Sequence, residues 1–278
     1  MPSGLALRWT HRLHAWRHRS EGGFDRRRYD VAELPDDRTA RAFVETHHYS
    51  ASFPVARLRY GLYRGPHLEG VAVLGVPARA RVLTRPFPDL VPYAESLVLS
   101  RFVLLDAVPA NAESWMLVRV FALARRRGLR GVLSFSDPVP RRRTDGTVVM
   151  PGHVGLIYQA SNAVYLGRAT PRTLWRLPDG TVLDDRAQQK IRSRDRGHAY
   201  AERLLVAHGA TPLRETESPA AWLRHWLPQV GRPYRHRGNH TYAFSLEQPR
   251  RVFAATRVLL APAALYPKRH DPAPWRTA

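Results

Sequence analysis

Glu95-Ser-Leu-Val-Leu-Ser-Arg-Phe-Val-Leu104 is followed by the turn residues Asp106-Ala-Val-Pro-Ala-Asn111 and by a helix-forming run from Ala112 to Arg127. Gly128 stops that run, and a second apolar stretch, Gly131-Val-Leu-Ser-Phe-Ser136, ends at Asp137-Pro138. Strand, helix and strand in this order imply a parallel pair with a crossover helix. Ligands of such sheets sit where the strands end in polar turns. Here those turns hold Ser100, Arg101, Asn111, Ser114 and Asp137. Asn111 is the expected N-cap, and Glu113 suits the positive end of the helix. Trp115, Val118, Phe121 and Ala122, with Leu117 or Ala124, are the expected buried face. Arg125-Arg-Arg127 falls in the last turn, where cations are favourable.

Downstream, Arg141-Arg142-Arg143-Thr-Asp-Gly146 reads as a basic loop or hairpin suited to phosphate contact. Gly152-His153-Val-Gly155-Leu-Ile-Tyr158-Gln-Ala-Ser-Asn162-Ala-Val-Tyr165-Leu-Gly167 completes the stretch. Gly155 to Leu166 reads as an amphipathic helix carrying Tyr158 and Tyr165, which serve either the core or a site. Upstream, Arg57 to Tyr63 and Gly70 to Val76 form a hairpin turned at Arg64-Gly65-Pro66, beside the strand Ser96–Leu104. Asp36-Asp37 with Thr39 opens a helix to His47. His48 and Tyr49 then stand at its end, as loop residues or as substrate contacts. Two adjacent histidines point apart, so a metal shared by His47 and His48 is not expected.

The first 30 residues are rich in Arg and His, with Trp9, Leu13 and Trp16 spaced for a short helical face. They form either a solvated arm or one that meets phosphates. After Gly167, Thr173 to Leu177 precedes the turn Pro178-Asp-Gly180 and an Arg-rich helix from about Asp185 to His208, with Arg192 and Arg194 on a basic face. Arg235 to Ser245 alternates as an edge strand does, and residues 268–278 read as a tail.

Across 278 residues, Lys and Arg number 44 against 23 Asp and Glu, a formal charge of +21. Lys190 and Lys268 are the lysines; the rest is Arg. GC-rich coding can exchange Lys for Arg, but it does not by itself leave bases so far ahead of acids. A polyanionic partner, nucleic acid above all, is the expectation. The chain has no Cys, which removes disulfides, thiolate nucleophiles and Cys-based zinc sites. No apolar run has the length of a signal peptide or a membrane span, so a protein with no membrane role is expected. Metal dependence is not expected either, because no HxxxH or HExxH spacing supports the first suspects, His48 and His153.

The ordered elements Leu99-Ser-Arg101, Asn111-Ala-Glu-Ser114, Ser136-Asp-Pro138, Gly152 to Asn162, His240-Thr-Tyr242 and the early His48-Tyr49 resemble the bacteriophage Mom-type DNA modification proteins. The resemblance spans residues 45–245. It implies an α/β (α+β) fold similar to the GNAT acetyltransferases, with a mixed central sheet and flanking helices. It also implies conversion of adenine in phage DNA to N6-carbamoylmethyladenine, which shields that DNA from restriction, in the cytoplasm of a bacterial host. The organisation expected is then a basic arm over residues 1–30, a GNAT-like core over 31–167 and a basic C-terminal part over 168–278. That last part would complete the core and contact nucleic acid.

Carried over residue by residue, the resemblance gives Asp137, Tyr158 and Ser114 catalytic parts and Arg101 an anion. Ser100, Asn111, His48, Tyr49, His153, Asn162 and Tyr165 are expected around substrate and donor. Arg141, Arg142, Arg143, Arg192 and Arg194 are expected at nucleic acid. Asp137 would handle the proton of the adenine amine or orient it, unless it pairs with Arg141 or Arg142. The target base must leave the duplex and stack on an aromatic ring, with Tyr49 and Tyr165 as candidates. Val108-Pro-Ala-Asn-Ala112 lacks the glycines with which acetyltransferases of this fold hold the acyl-CoA pyrophosphate. Acetyl-CoA and glycyl-tRNA both stay open as donors. Double-stranded DNA, tRNA and a second copy of the chain are the partners considered. An acetyltransferase for small molecules or proteins, and a non-catalytic nucleic-acid binder, are the rival readings.

Overall fold

Val71, Ala72, Val73 and Leu74 alternate between two hydrophobic clusters, one on each face of a sheet, as the period of two along a strand requires. The computed structural model describes the backbone of residues 5–10 and 13–18, and residues 23–195, 197–246 and 265–268 in full. The chain divides into two units. The first comprises Met1–Pro138, Pro151–Arg168 and Asn239–Pro272; the second comprises Val139–Met150, Ala169–Gly238 and Ala273–Ala278.

The first unit opens with an antiparallel pair, β1 (Leu5–Thr10) and β2 (Leu13–His18). This corrects the helical face expected of Trp9, Leu13 and Trp16. Leu5, Leu7 and Trp9 alternate with Ala6, Arg8 and Thr10, a strand period that the wider spacing obscures. The central sheet follows, with β3 (Asp30–Glu33), β4 (Ala56–Arg64), β5 (His67–Gly75), β6 (Ser96–Leu104) and β7 (Gly131–Ser136). Helix α1 (Asp37–His47) lies between β3 and β4, and the short α2 (Arg81–Thr84) between β5 and β6. Asp36 caps α1 by accepting the Arg38 N–H at 2.9 Å. Ala40 and Val44 of α1 pack with Val71 and Val73 of β5. Helix α3 (Ala112–Arg126) covers the opposite face, placing Met116, Leu117, Val120 and Ala124 with Tyr60, Leu62, Ala72 and Leu74.

The buried stripe of α3 is therefore turned from the one expected. Val118 is 62% exposed, while Trp115 and Phe121 are only partly buried. Asn111 does not cap with its side chain either. It takes a left-handed φ of 76°, and Ser114 Oγ donates to its carbonyl at 3.2 Å.

In the second unit β8 (Arg141–Arg142) and β9 (Val148–Met150) form a hairpin, one of the two expected forms of the basic insert. Back in the first unit, α4 (Leu156–Ala160) is one short turn of helix, and β10 (Val164–Arg168) follows it. The long helix expected from Gly155 to Leu166 is thus corrected. Asn162, at φ 60°, turns the chain, and Val164 and Tyr165 pair with the last strand.

The second unit continues with β11 (Arg172–Arg176), β12 (Val182–Leu183), α5 (Asp185–Ser193), α6 (His198–Val206), α7 (Pro219–Val230) and β13 (Arg232–His236), its strands ordered β12-β11-β13. The single helix expected over 185–208 is two, because Arg194 and Gly197 adopt φ values of 49° and 83°. Ile191, Leu205, Trp222 and Leu227 form its core, and the Trp222 indole N–H donates to the Thr211 carbonyl at 2.9 Å.

The last strand, β14 (His240–Ser245), returns to the first unit. It lies between β10 and β7 in the order β10-β14-β7-β6-β5-β4-β3, so the expectation of an edge strand is corrected. Tyr242 and Phe244 enter one cluster and Ala243 another, so the strand is buried on both faces. The mixed seven-stranded sheet with flanking helices is the α/β fold expected. The tail over 269–278 lies outside the described residues, and no described helix is long and apolar enough to cross a membrane.

Candidate functional site

The parallel pairing of β6 and β7 runs from Ser96 opposite Gly131 to Leu99 opposite Ser134 and then ends. Beyond that point β6 stays paired with β5, and β7 with β14. The two halves of the sheet part there. Ser100 is an extra residue in β6, since Leu99 faces Leu74 and Arg101 faces Val73. Such a bulge re-aims the side chains beside it. Arg101 donates through Nε to the Ser52 carbonyl at 2.9 Å, through Nη2 to Ser52 Oγ at 2.9 Å and through Nη1 to the Ser100 carbonyl at 2.6 Å. These acceptors are neutral oxygens, so Arg101 keeps its charge in a half-buried place. Burial pulls its pKa below the ordinary value, and Tyr49 and Tyr158 pull the other way.

His48 ends α1, and its N–H donates to the Val44 carbonyl. Only 8% exposed, its Nδ1 accepts the Ser50 backbone N–H at 3.1 Å and lies 2.9 Å from Ser50 Oγ. An Nδ1 that accepts a backbone N–H carries no proton, so the ring proton sits on Nε2. Burial first, then Arg101 and His153, push the His48 pKa down to about 3. The imidazole is neutral and offers Nε2–H as a donor.

From His48 a series of rings runs across the opening. Its centroid lies 4.1 Å from that of Tyr49, Tyr49 lies 6.2 Å from His153, and His153 lies 6.5 Å from Tyr158. Asp137, at the end of β7, is 7% exposed, and its carbonyl accepts the His153 N–H at 2.8 Å. Tyr158 sits on α4, which begins where Gly155 takes a φ of 70°. Burial raises the phenol pKa, against the influence of Ser134 and Arg101, so Tyr158 stays protonated. Behind it stand Tyr242, at 5.3 Å between centroids, and Tyr165, whose hydroxyl lies 2.7 Å from His240 Nδ1. Tyr242 donates to the Val154 carbonyl at 2.5 Å and accepts from Gln159 Nε2 at 3.2 Å.

His48, Tyr49, Arg101, His153 and Tyr158 are thus joined by direct neighbours, with Ser100 and Asp137 on the two parting strands. Asn111 and Ser114 line a different groove, of about 490 Å³, with Phe24, Arg26, Trp115 and Arg119. The glycine-free turn before α3 uses Asn111 for the left-handed position that glycine usually fills. Asn162 is exposed and shapes the turn after α4. In the second unit, Arg142 and Arg143 are exposed, Arg192 lines a cavity, and Arg194 Nη2 donates to the carbonyls of Arg214, Glu215 and Glu217.

Sequence reasoning gave no role to Ser50, Ser52 or Gln159. Serines in a loop carry no pattern, whereas Gln159, inside the run from Gly152 to Asn162, and His240-Thr-Tyr242 were signals without an assigned function. Among the described residues no three His, Asp or Glu side chains gather as metal ligands do.

The chain is similar in structure to a tandem GNAT protein from the clavulanic acid biosynthesis pathway, at a TM-score of 0.40 and 10% identity over 80% of this chain and 99% of that one. It is also similar to a Bacillus subtilis acetyltransferase in complex with CoA, at a TM-score of 0.32 and 9% identity over 79% and 99% of the two chains. A GNAT acetyltransferase from Elizabethkingia anophelis with acetyl-CoA bound gives 0.30 and 8% over 78% and 98%. No curated protein matches the chain. The Mom protein family model matches residues 28–217, most of the sequence and all of the cluster from His48 to Tyr158, and the chain belongs to that family.

Proposed function

We propose that the chain is a transferase acting on the N6 amine of adenine in DNA and that it produces N6-carbamoylmethyladenine. The observation that carries this reading is the set Arg101, His48, Asp137 and Tyr158 at the point where β6 and β7 part, in a chain of the Mom family.

The N6 lone pair is delocalised into the ring, so a catalyst must orient the amine and remove its proton as the new N–C bond forms. Asp137 takes that part, as acceptor for an amine hydrogen. With a glycyl ester as donor, N6 attacks the ester carbon, the bond to the carrier oxygen breaks, and N6-glycyladenine forms. That amide is an isomer of N6-carbamoylmethyladenine. A rearrangement that passes N6 to the methylene and the amino nitrogen to the carbonyl completes the product with no atom gained or lost. Tyr158, a protonated phenol, gives its hydrogen bond to the donor's oxygen or leaving group. His48 Nε2–H is a second neutral donor for the same developing charge, in the manner of a histidine kept neutral by its surroundings. Arg101 holds an anionic group of donor or DNA.

Ser114 and Asn111, in the groove at the start of α3, hold a part of the donor remote from the reacting carbon. A glycyl ester on tRNA brings the two carbons and the nitrogen of the added group, whereas an acetyl thioester lacks the nitrogen. The excess of arginine suits DNA and tRNA alike. An extrahelical adenine would stack on Tyr49, which lies between His48 and His153.

Nucleoside mass spectrometry on DNA from cells making the protein tests this reading, with Asp137→Ala as control. A deoxyadenosine carrying the mass of a carbamoylmethyl group, absent with Asp137→Ala, is the expected result. Unmodified DNA from cells with soluble wild-type protein would count against it. Labelled glycine fed to the same cells separates the donors, since only a glycyl donor carries it intact into the added group, beyond the label that unmodified adenine takes up through purine synthesis.

A further inference from the structure

The second unit contains a cavity of about 350 Å³ lined by Trp175, Gln188, Arg192, Arg224, Leu227 and Pro228 among others, with no Asp or Glu among the described residues of its wall. Trp175 comes from β11, Gln188 and Arg192 from α5, and Arg224 to Pro228 from α7. Three elements thus converge on one hollow that the site in the first unit does not use.

Its wall is polar in a specific way. Gln188 is a buried polar side chain, 5% exposed. Arg192 Nη2 donates to its amide oxygen at 3.1 Å. An arginine is only a donor, so that contact fixes which end of the amide is oxygen. The Gln188 nitrogen is left as a donor at the cavity wall. The hollow therefore combines an indole, an amide donor and two guanidinium groups.

A ring with polar edges, carrying a phosphate, matches that set. Guanidinium groups fit phosphate oxygens in pairs, and an indole face accepts any nucleobase. The volume is also of the size that takes a small ligand. We propose that this cavity receives one unpaired nucleotide of a nucleic-acid strand. Its phosphate lies between Arg192 and Arg224, and its base lies against Trp175 with an edge at Gln188. This inference rests on the reading of the chain as an enzyme of nucleic acid, and it adds a place, apart from the catalytic cluster, where a strand departing from the duplex is held. A base paired inside a duplex presents no free face to an indole, so the occupant is an unpaired one.

Fluorescence anisotropy on the full chain tests it, using a fully paired DNA hairpin, the same hairpin with one unpaired nucleotide, and RNA versions of both, all at one salt concentration. The wild type should prefer the hairpin with the unpaired nucleotide by about tenfold. Arg192→Gln with Arg224→Gln should abolish that preference. Arg186→Gln, which removes one positive charge from the exposed side of α5, should keep it while weakening both hairpins alike.

A preference seen with DNA alone, or with RNA alone, supports the cavity and identifies the strand it takes. Equal binding of paired and unpaired hairpins by the wild type, or a preference that survives the double variant, would overturn the proposal. Mass spectrometry of DNA from the same cells keeps the two readings apart. Modified adenine without the binding preference sinks the cavity alone, and the preference without modified adenine sinks the catalytic reading alone.

Discussion

The Ser50 backbone N–H donates to His48 Nδ1 at 3.1 Å and thereby holds the buried imidazole as its Nε2–H tautomer. With Arg101 and His153 as neighbours, this ring has no stable place for a second proton, and its pKa stands at about 3. A group that refuses a proton in the folded state and takes one when unfolded makes stability depend on pH. Between about 3 and the ordinary histidine value the unfolded chain binds more protons, so stability falls as pH falls through that window. The loss approaches about 1.4 kcal/mol for each pH unit below the unfolded value. Urea titrations of wild type and His48→Gln at pH 7.5 and pH 5 should show the wild type losing more stability on acidification. Equal losses would mean that His48 is charged in the folded protein.

Tyr158→Phe isolates the phenol. The ring contacts with His153, Tyr242 and Phe244 remain, so the fold should be kept within about 1 kcal/mol, with Ser134 and Arg101 the hydroxyl's neighbours. If the hydroxyl donates to the donor's oxygen in the transition state, modification should fall by about a hundredfold. The measurement is modified adenine per unit of soluble protein over time, beside a melting curve. Full activity in Tyr158→Phe would reduce this residue to packing.

Much of this arrangement was legible before the structure. Ser96–Leu104 and Gly131–Ser136 were bounded by turn residues and rich in apolar side chains, so the strands and their parallel pairing followed from local chemistry. Asp36 announced α1 in the same way. What could not be read was how distant segments close the site. Ser52 acquires its part because the loop after α1 reaches Arg101, a contact separated by 49 positions. The strand at His240 looked like an edge because its alternation ignores the neighbour that covers it, β10. The helix expected after Gly155 ended early because Asn162 accepts a positive φ, and periodicity alone does not reveal such a turn. Asn111 misled for the same reason, as a residue suited both to capping and to the left-handed turn that it makes.

Arg101→Lys separates charge from geometry. The guanidinium reaches two oxygens of Ser52 and the Ser100 carbonyl, three directions that an ammonium on a flexible stem does not hold together. The charge survives, so retention of salt-dependent DNA binding is expected. Modification should nonetheless drop by about tenfold or more, because the anion is no longer fixed in one orientation. Binding and modification falling in parallel would assign Arg101 to affinity alone.

Gly155→Ala should harm both the fold and the site, and the reason is geometric. Gly155 holds a φ of 70°, which an L side chain adopts only with strain. A Cβ there would stand 2.7 Å from the Tyr242 ring and 2.8 Å from the Tyr158 ring. Neither ring has room to yield. Tyr242 is packed in the core and tied to Val154 and Gln159, while Tyr158 is enclosed by Tyr242 and Phe244. The combined cost of conformation and overlap should be about 2–4 kcal/mol, read as a lower urea midpoint at unchanged m-value. Because the overlap pushes on Tyr158 itself, modification should fall further than the folded fraction does. Normalising activity to folded protein, measured by near-UV circular dichroism, makes that distinction. A loss fully accounted for by unfolding would show that Gly155 supports only the chain, whereas an excess loss ties this one glycine to the placement of the phenol.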